Sequence, residues 1–199
     1  MQKFELWYPL KNPLLVTQRF GENLVPLYAN MGMKGHNGWD IVGLEGQRCR
    51  AAHDGIVTFA GEDGSGGLGI VIRTKEKFWY ENQWVYFKTI YWHLKPGSII
   101  VKASQEVKVG DIIAQCDTTG LATASHLHFG LKPLLQGEQE WEWGNLLQTN
   151  GYLGAIDPAP FWNYYYAEDA QGRMAIMNKM IEILKKVVLL LTKQLNAKI

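Results

Sequence analysis

Apolar and polar residues along the chain fall into short β-like bursts, giving way to a helical period only near the C-terminus. The bursts include Gly55–Ala60, Gly69–Arg73, Trp84–His93, Gly110–Gln115 and His126–Leu131. Turn pairs punctuate them at Asp54-Gly55, Asp63-Gly64 and Pro96-Gly97, where connections are expected. Many short strands at close spacing, broken by glycine, predict a mostly β domain with an antiparallel sheet core over residues 33–166. Residues 1–32 are expected to be an irregular lead-in, since Pro9, Pro13, Pro26 and Gly32 interrupt any helix. From Arg173 to Ile199 there is neither Gly nor Pro. Met174, Met177, Ile181, Leu184, Val188, Leu191 and Leu195 recur there at alternating spacings of three and four, predicting an amphipathic C-terminal helix over 173–199. Its broad apolar face suits packing onto the β domain equally with self-association or docking to a partner.

Charge narrows the function classes. The formal net charge of +1 and the absence of a basic run give no footprint for nucleic acid. No apolar stretch is long enough for a transmembrane segment, and MQKFELWYPL lacks the basic and apolar regions of a signal peptide. Cys49 and Cys116 form no Cys-x-x-Cys pair, which excludes a zinc ribbon; their apolar surroundings read as buried reduced thiols. Eight Trp and nine Tyr make the chain a little rich in aromatics; most read as core or half-buried strand residues, and a minority are expected to line a groove.

The histidines change the picture. His36 and Asp40 flank Asn37-Gly38. In an extended strand they would stand about 13 Å apart, at roughly 3.3 Å per residue, so one metal ion could share them only if the chain bends. Asn-Gly encodes that bend, with positive φ available to it. In Ser125-His-Leu-His-Phe129 a strand places His126 and His128 on one side, about 6.6 Å apart, and turns Leu127 and Phe129 into the core. Paired histidines on a core strand need partners, and a metal supplies one, with the other imidazole beside the metal-bound water. His93 ends a long β-like run, while His53 before Asp54-Gly55 reads as structural.

At these residues the chain resembles the lysostaphin-type zinc peptidases of bacterial cell walls. Four motifs carry the resemblance, in order: His36-Asn-Gly-Trp-Asp40, Ala51-Ala-His-Asp-Gly-Ile-Val57, Tyr91-Trp-His-Leu94 and His126-Leu-His-Phe129. Val107–Ala114 and Thr118-Thr-Gly120 are similar to the family's connecting strand and its glycine-containing loop. Lys75–Trp84 is longer and more aromatic than the family's hairpin, which bears on substrate choice. The resemblance implies a lysostaphin-like fold related to barrel-sandwich hybrids. It implies one Zn2+ per chain held by His36, Asp40 and His128, with His93 and His126 as catalytic histidines. Three ligands leave a fourth position for water, the mark of a catalytic zinc. No Glu follows the first ligand as in His-Glu-x-x-His proteases, so a histidine must serve as base; which of the two is left open.

The expected activity is hydrolysis of peptide bonds in the stem or cross-bridge of peptidoglycan at the cell wall, as in a phage lysin or tail-associated lytic enzyme. Two other readings compete: a non-catalytic wall-binding protein of the same fold, and a histidine phosphocarrier. The first would be expected to lose ligands, and the second would not require His36 together with Asp40. A latent form, with a side chain from residues 1–35 filling the fourth metal position, stays open.

Overall fold

A computed structural model describes residues 3–11, 15–24, 27–135 and 149–164; the helix expected at 173–199 lies outside them. The elements in chain order are β1 (Leu6–Trp7), β2 (Val16–Gln18), α1 (Leu27–Asn30), β3 (Trp39–Val42), β4 (Arg48–Arg50), β5 (Gly55–Asp63) and β6 (Gly67–Arg73). There follow β7 (Phe78–Tyr80), β8 (Gln83–Trp92), β9 (Glu106–Val107), β10 (Ile112–Gln115), β11 (His126–Leu134) and β12 (Trp162–Tyr164). The main sheet runs β2-β3-β11-β8-β6-β5-β9, with β7 paired to β8, and its pairings are antiparallel. β4 and β10 form a small antiparallel ribbon, and β1 pairs parallel with β12. The fold is the mostly β, antiparallel architecture expected from the many short β-like runs and their glycine-containing turns.

Side-chain parity places the site. Along β11, Leu127, Phe129 and Leu131 are wholly buried in the main core. A one-residue slip would exchange them for His126, His128 and Gly130. It would forfeit about 5–9 kcal/mol of apolar burial, so the register that puts both histidines on the other face is firmly set. In that register His128 stands opposite Asp40 on β3 and opposite Trp92 on β8. On β8, Val85, Phe87 and Tyr91 enter the main core, while Ile90 and Trp92 join Val71 and Phe59 in a small cluster on the far face. The Trp92 ring lies against Gly66 and Gly69: a Cβ added at Gly69 would sit 1.6 Å from the indole.

The N-terminal residues hold only short elements, yet they are integral to the core. Phe4 stacks on Phe87 with ring centroids 4.1 Å apart, and Leu6, Tyr8 and Leu10 are buried beside it. β2 forms the edge next to β3. The helix expected to be impossible here does reach one turn, and Gly32 at φ +70° ends it. Lys75–Trp84 becomes the β7–β8 hairpin, turned by Glu81 and Asn82 at positive φ, with Trp79 and Trp84 exposed at its tip. Cys49 and Cys116 are free and buried as expected, and lie side by side with Sγ atoms 3.2 Å apart.

Candidate metal centre

Three strands deliver five side chains to one cleft of about 410 Å³. β3 carries Asp40, with His36 in the bend just before it; β11 carries His126 and His128; His93 follows the last residue of β8. The bend at Asn37-Gly38 is present, but neither residue has positive φ. Glycine is needed there for a different reason: a Cβ at Gly38 would lie 2.5 Å from the Phe129 carbonyl oxygen and 2.9 Å from the His128 ring.

His36 Nε2, His128 Nδ1 and one oxygen of Asp40 form a tight triangle. Its sides are 2.9 Å between the imidazoles, 3.2 Å from His36 to Asp40 Oδ1 and 3.1 Å from His128 to the same oxygen. Donors bound to one tetrahedral zinc at 2.0–2.2 Å stand about 3.3 Å apart, so the triangle has nearly the required size. His36 Nδ1 is buried without a hydrogen-bond partner among the described residues. A buried imidazole crowded by a second on one nitrogen and orphaned on the other gains little as a structural residue. Among the described residues this trio is the one cluster able to hold a metal ion, and its nitrogen and carboxylate donors suit zinc. Among the described residues no His, Cys, Asp or Glu from residues 1–35 belongs to this cluster, while Gln18, Leu27, Tyr28, Met31 and Met33 line the cleft around it.

Electrostatics agree with a ligand role. Burial raises the Asp40 carboxyl, but hydrogen bonds from His128 and His36 and their charge outweigh it, holding the group well below the usual carboxylate range. Burial lowers His128 against the opposing pull of Asp40. Asp40 is therefore ionised and His128 neutral at neutral pH, the protonation states from which a metal is bound.

The remaining two histidines flank the trio. His126 Nε2 is 3.6 Å from Asp40 Oδ1, and the His93 ring centroid is 4.6 Å from that of His126. Each is anchored through its other nitrogen: His93 Nδ1 is 2.7 Å from the Thr119 carbonyl oxygen, and His126 Nδ1 is 2.7 Å from that of Ala124. Since a carbonyl can only accept, both Nδ1 atoms carry the proton. Burial pushes His93 down to about 4, aided by the neighbouring His126 and His128. It is also held at φ +64°, a conformation that costs a non-glycine residue about 1–2 kcal/mol. Strain of this kind is tolerated where the surroundings determine it.

Two features of the site had no clear sequence signal. One is the pair of backbone carbonyls that anchor His93 and His126. The other is the apolar wall built by Leu27, Tyr28, Met31 and Met33, from the segment expected to be irregular. Tyr28 donates its hydroxyl to Gln18 Oε1 at 2.8 Å; burial and the nearby Asp40 charge push that hydroxyl up to about 12. Of the tryptophans considered for a groove, Trp92 lines the cleft. His53 lies apart, buried beneath β8. Among the described residues no helix is long and apolar enough to cross a membrane.

An antiparallel β-sheet protein with a His-Asp-His cluster able to hold a metal ion and two flanking histidines is thereby defined. The pattern of peptidase family M23 matches residues 34–140, more than half of the chain, and the chain belongs to that family. It is 29% identical over 114 residues to the DD-carboxypeptidase/endopeptidase Mpg of Neisseria meningitidis, covering 57% of this chain and 23% of that protein. It is 36% identical over 113 residues to the glycyl-glycine endopeptidase ALE-1 of Staphylococcus capitis, covering 55% and 27%. The chain thus spans about a quarter of the length of these curated relatives. Lysostaphin from Staphylococcus simulans shares the fold with a TM-score of 0.54 at 25% identity, over 77% of this chain and 53% of that one.

Proposed function

We propose that the chain is a zinc-dependent endopeptidase that hydrolyses peptide bonds in the stem or cross-bridge of bacterial peptidoglycan, acting at the cell wall. The observation that carries this reading is the His36–Asp40–His128 triangle with two Nδ1-anchored histidines beside it. His36, Asp40 and His128 would hold the ion through Nε2, Oδ1 and Nδ1. Zinc so held supplies Lewis acidity, polarising a carbonyl group and lowering the pKa of water.

The chain's own residues manage the protons. With Nδ1 donating to a carbonyl, the imidazole forms of His126 and His93 that carry a single ring proton each present an Nε2 lone pair. One accepts the proton of the attacking water as its oxygen bonds to the scissile carbonyl carbon. The proton then passes to the amine nitrogen as the C–N bond breaks. The depressed pKa of His93 suits it to release a proton rather than store one. Leu27, Tyr28, Met31, Met33, Leu121 and Ala122 together give the cleft apolar lining. An apolar slot of this kind favours a peptide with small, uncharged side chains, as in the substrate named for the glycyl-glycine endopeptidase relative.

The test measures bound metal in the protein and in its Asp40→Ala variant, together with turbidity of cell-wall suspensions with and without chelator. One zinc per chain, lost in the variant along with lysis, is the expected result. A metal-free protein after zinc loading, or lysis indifferent to chelator, overturns the reading.

A further inference from the structure

We propose that Thr119 is a positioning residue that fixes the tautomer and orientation of His93. The inference rests on the reading of His93 as a proton carrier. It starts from three contacts made by one residue. The Thr119 carbonyl accepts from His93 Nδ1–H at 2.7 Å. The Thr119 hydroxyl donates to the carbonyl of Leu94, the residue after His93, at 2.8 Å. The same hydroxyl accepts from the backbone N–H of Leu68 at 3.1 Å. Thr119 therefore grips His93 twice, at the ring and at the backbone beside it, and ties both to β6.

That second grip matters because His93 sits at φ +64°, which it would leave if released. The backbone around it is held by His93 N–H donating to the Gly66 carbonyl at 3.1 Å and Leu94 N–H donating to the Leu68 carbonyl at 3.0 Å. The loop carrying Thr119 is pressed onto the same turn. Leu121 N–H donates to the Ser65 carbonyl at 2.8 Å, and a Cβ at Gly120, whose φ is +73°, would lie 2.4 Å from Gly67 N. The carbonyl that reads the His93 tautomer cannot drift while this contact holds. The loop also carries Ala124, whose carbonyl takes the Nδ1 proton of His126. One connection thus orients both imidazoles, and Thr119 braces it with a side chain.

Removing the hydroxyl isosterically, in Thr119→Val, deprives Leu94 C=O and Leu68 N–H of a partner and loosens the Thr119 carbonyl. Two readouts are taken on zinc-loaded protein: nitrogen–proton correlation spectra of labelled histidines, which report the tautomer, and steady-state kinetics on a wall peptide. In the parent protein His93 is expected wholly as the Nδ1–H form. In Thr119→Val it becomes a mixture, and kcat falls roughly tenfold to a hundredfold with KM and zinc content unchanged. Thr119→Ser, which keeps the hydroxyl, restores both. Gly120→Ala, which keeps Thr119 but displaces its carbonyl, shifts the tautomer as Thr119→Val does and stands in if Val is not tolerated. An Nε2–H form of His93 in the parent, or spectra and kcat indifferent to Thr119→Val, overturns the proposal. So does zinc loss in Thr119→Val, because the effect would then run through the ligands. If the parent cleaves no wall peptide but its His93 tautomer still depends on Thr119, the positioning role stands and the endopeptidase reading falls.

Discussion

His53 and His36 are both almost fully buried, and their surroundings treat them in opposite ways. His53 is fully satisfied. Its Nδ1 donates to the Asp54 carbonyl at 2.9 Å, and its Nε2 meets the Thr89 hydroxyl at 2.9 Å. The Tyr91 hydroxyl, 3.2 Å from that of Thr89, in turn accepts from Ala52 N–H. Burial, outweighing the pull of Asp54, pushes His53 down to about 4, so it is neutral and matched at every atom. His36 has one nitrogen against another imidazole and a carboxylate, and the other against nothing among the described residues. Burial alone does not separate a structural histidine from a ligand; the balance of donors and acceptors around it does.

If that distinction is right, substitutions on the two sides should fail differently. The largest effect is expected for Asp40→Ala: bound zinc is lost and wall lysis falls roughly a thousandfold or more, as several kcal/mol of transition-state stabilisation goes. Elemental analysis alongside the turbidity rate checks it. Retention of zinc would break the comparison at its centre. Next, His126→Ala should keep zinc while kcat falls roughly 10²–10⁴-fold, the usual worth of a positioned proton carrier. Loss of metal there would recast His126 as a ligand.

His53→Ala should do the reverse. Zinc and the activity per folded molecule stay, while denaturant titration shows stability lower by about 2–4 kcal/mol from the cavity and the lost hydrogen bonds to the Asp54 carbonyl and the Thr89 hydroxyl. The most gradual effect concerns pH. His53 has a folded pKa near 4 against 6.5 for the free side chain. Between those values the unfolded chain binds a proton that the native protein does not. The stabilisation is therefore complete above pH 6.5 and is lost as pH falls toward 4, by at most about 1.4 kcal/mol per unit. The difference in stability between the parent and His53→Leu across this window isolates it; parallel curves would contradict the assignment.

The sheet was legible because it depends on short-range rules, and the gathering of His36, Asp40, His93, His126 and His128 in one cleft was anticipated from the order of the family's motifs. Parity alone sends Leu127 and Phe129 inward and His126 and His128 to the other face, and the strand runs chosen from alternation correspond to β5, β6, β8, β10 and β11. What was not legible depends on long-range contact or on backbone atoms. The Thr119 and Ala124 carbonyls leave no mark on residue type. Gly38 reads as a turn residue, whereas its role is clearance for the His128 ring and the Phe129 carbonyl, 90 and 91 positions further along the chain. Cys49 and Cys116 meet only because β4 pairs with β10. The N-terminal residues lack periodicity since each short piece is shaped by what it touches: Phe4 by Phe87, Leu10 by Cys49.

The contact between Gly69 and Trp92 carries a consequence for how this cleft can vary. With 1.6 Å between the indole and any Cβ at position 69, the two residues form one heritable unit. A larger residue at 69 is tolerated only after the indole is gone, and a smaller residue at 92 leaves a void over the glycine. Effects at the two positions will therefore not add. In a randomised library the accepted sequences should be correlated pairs, small with large or large with small. Trp92 borders the cleft beside His128, so changes to the floor of the cleft are gated by a glycine on the neighbouring strand that does not line it.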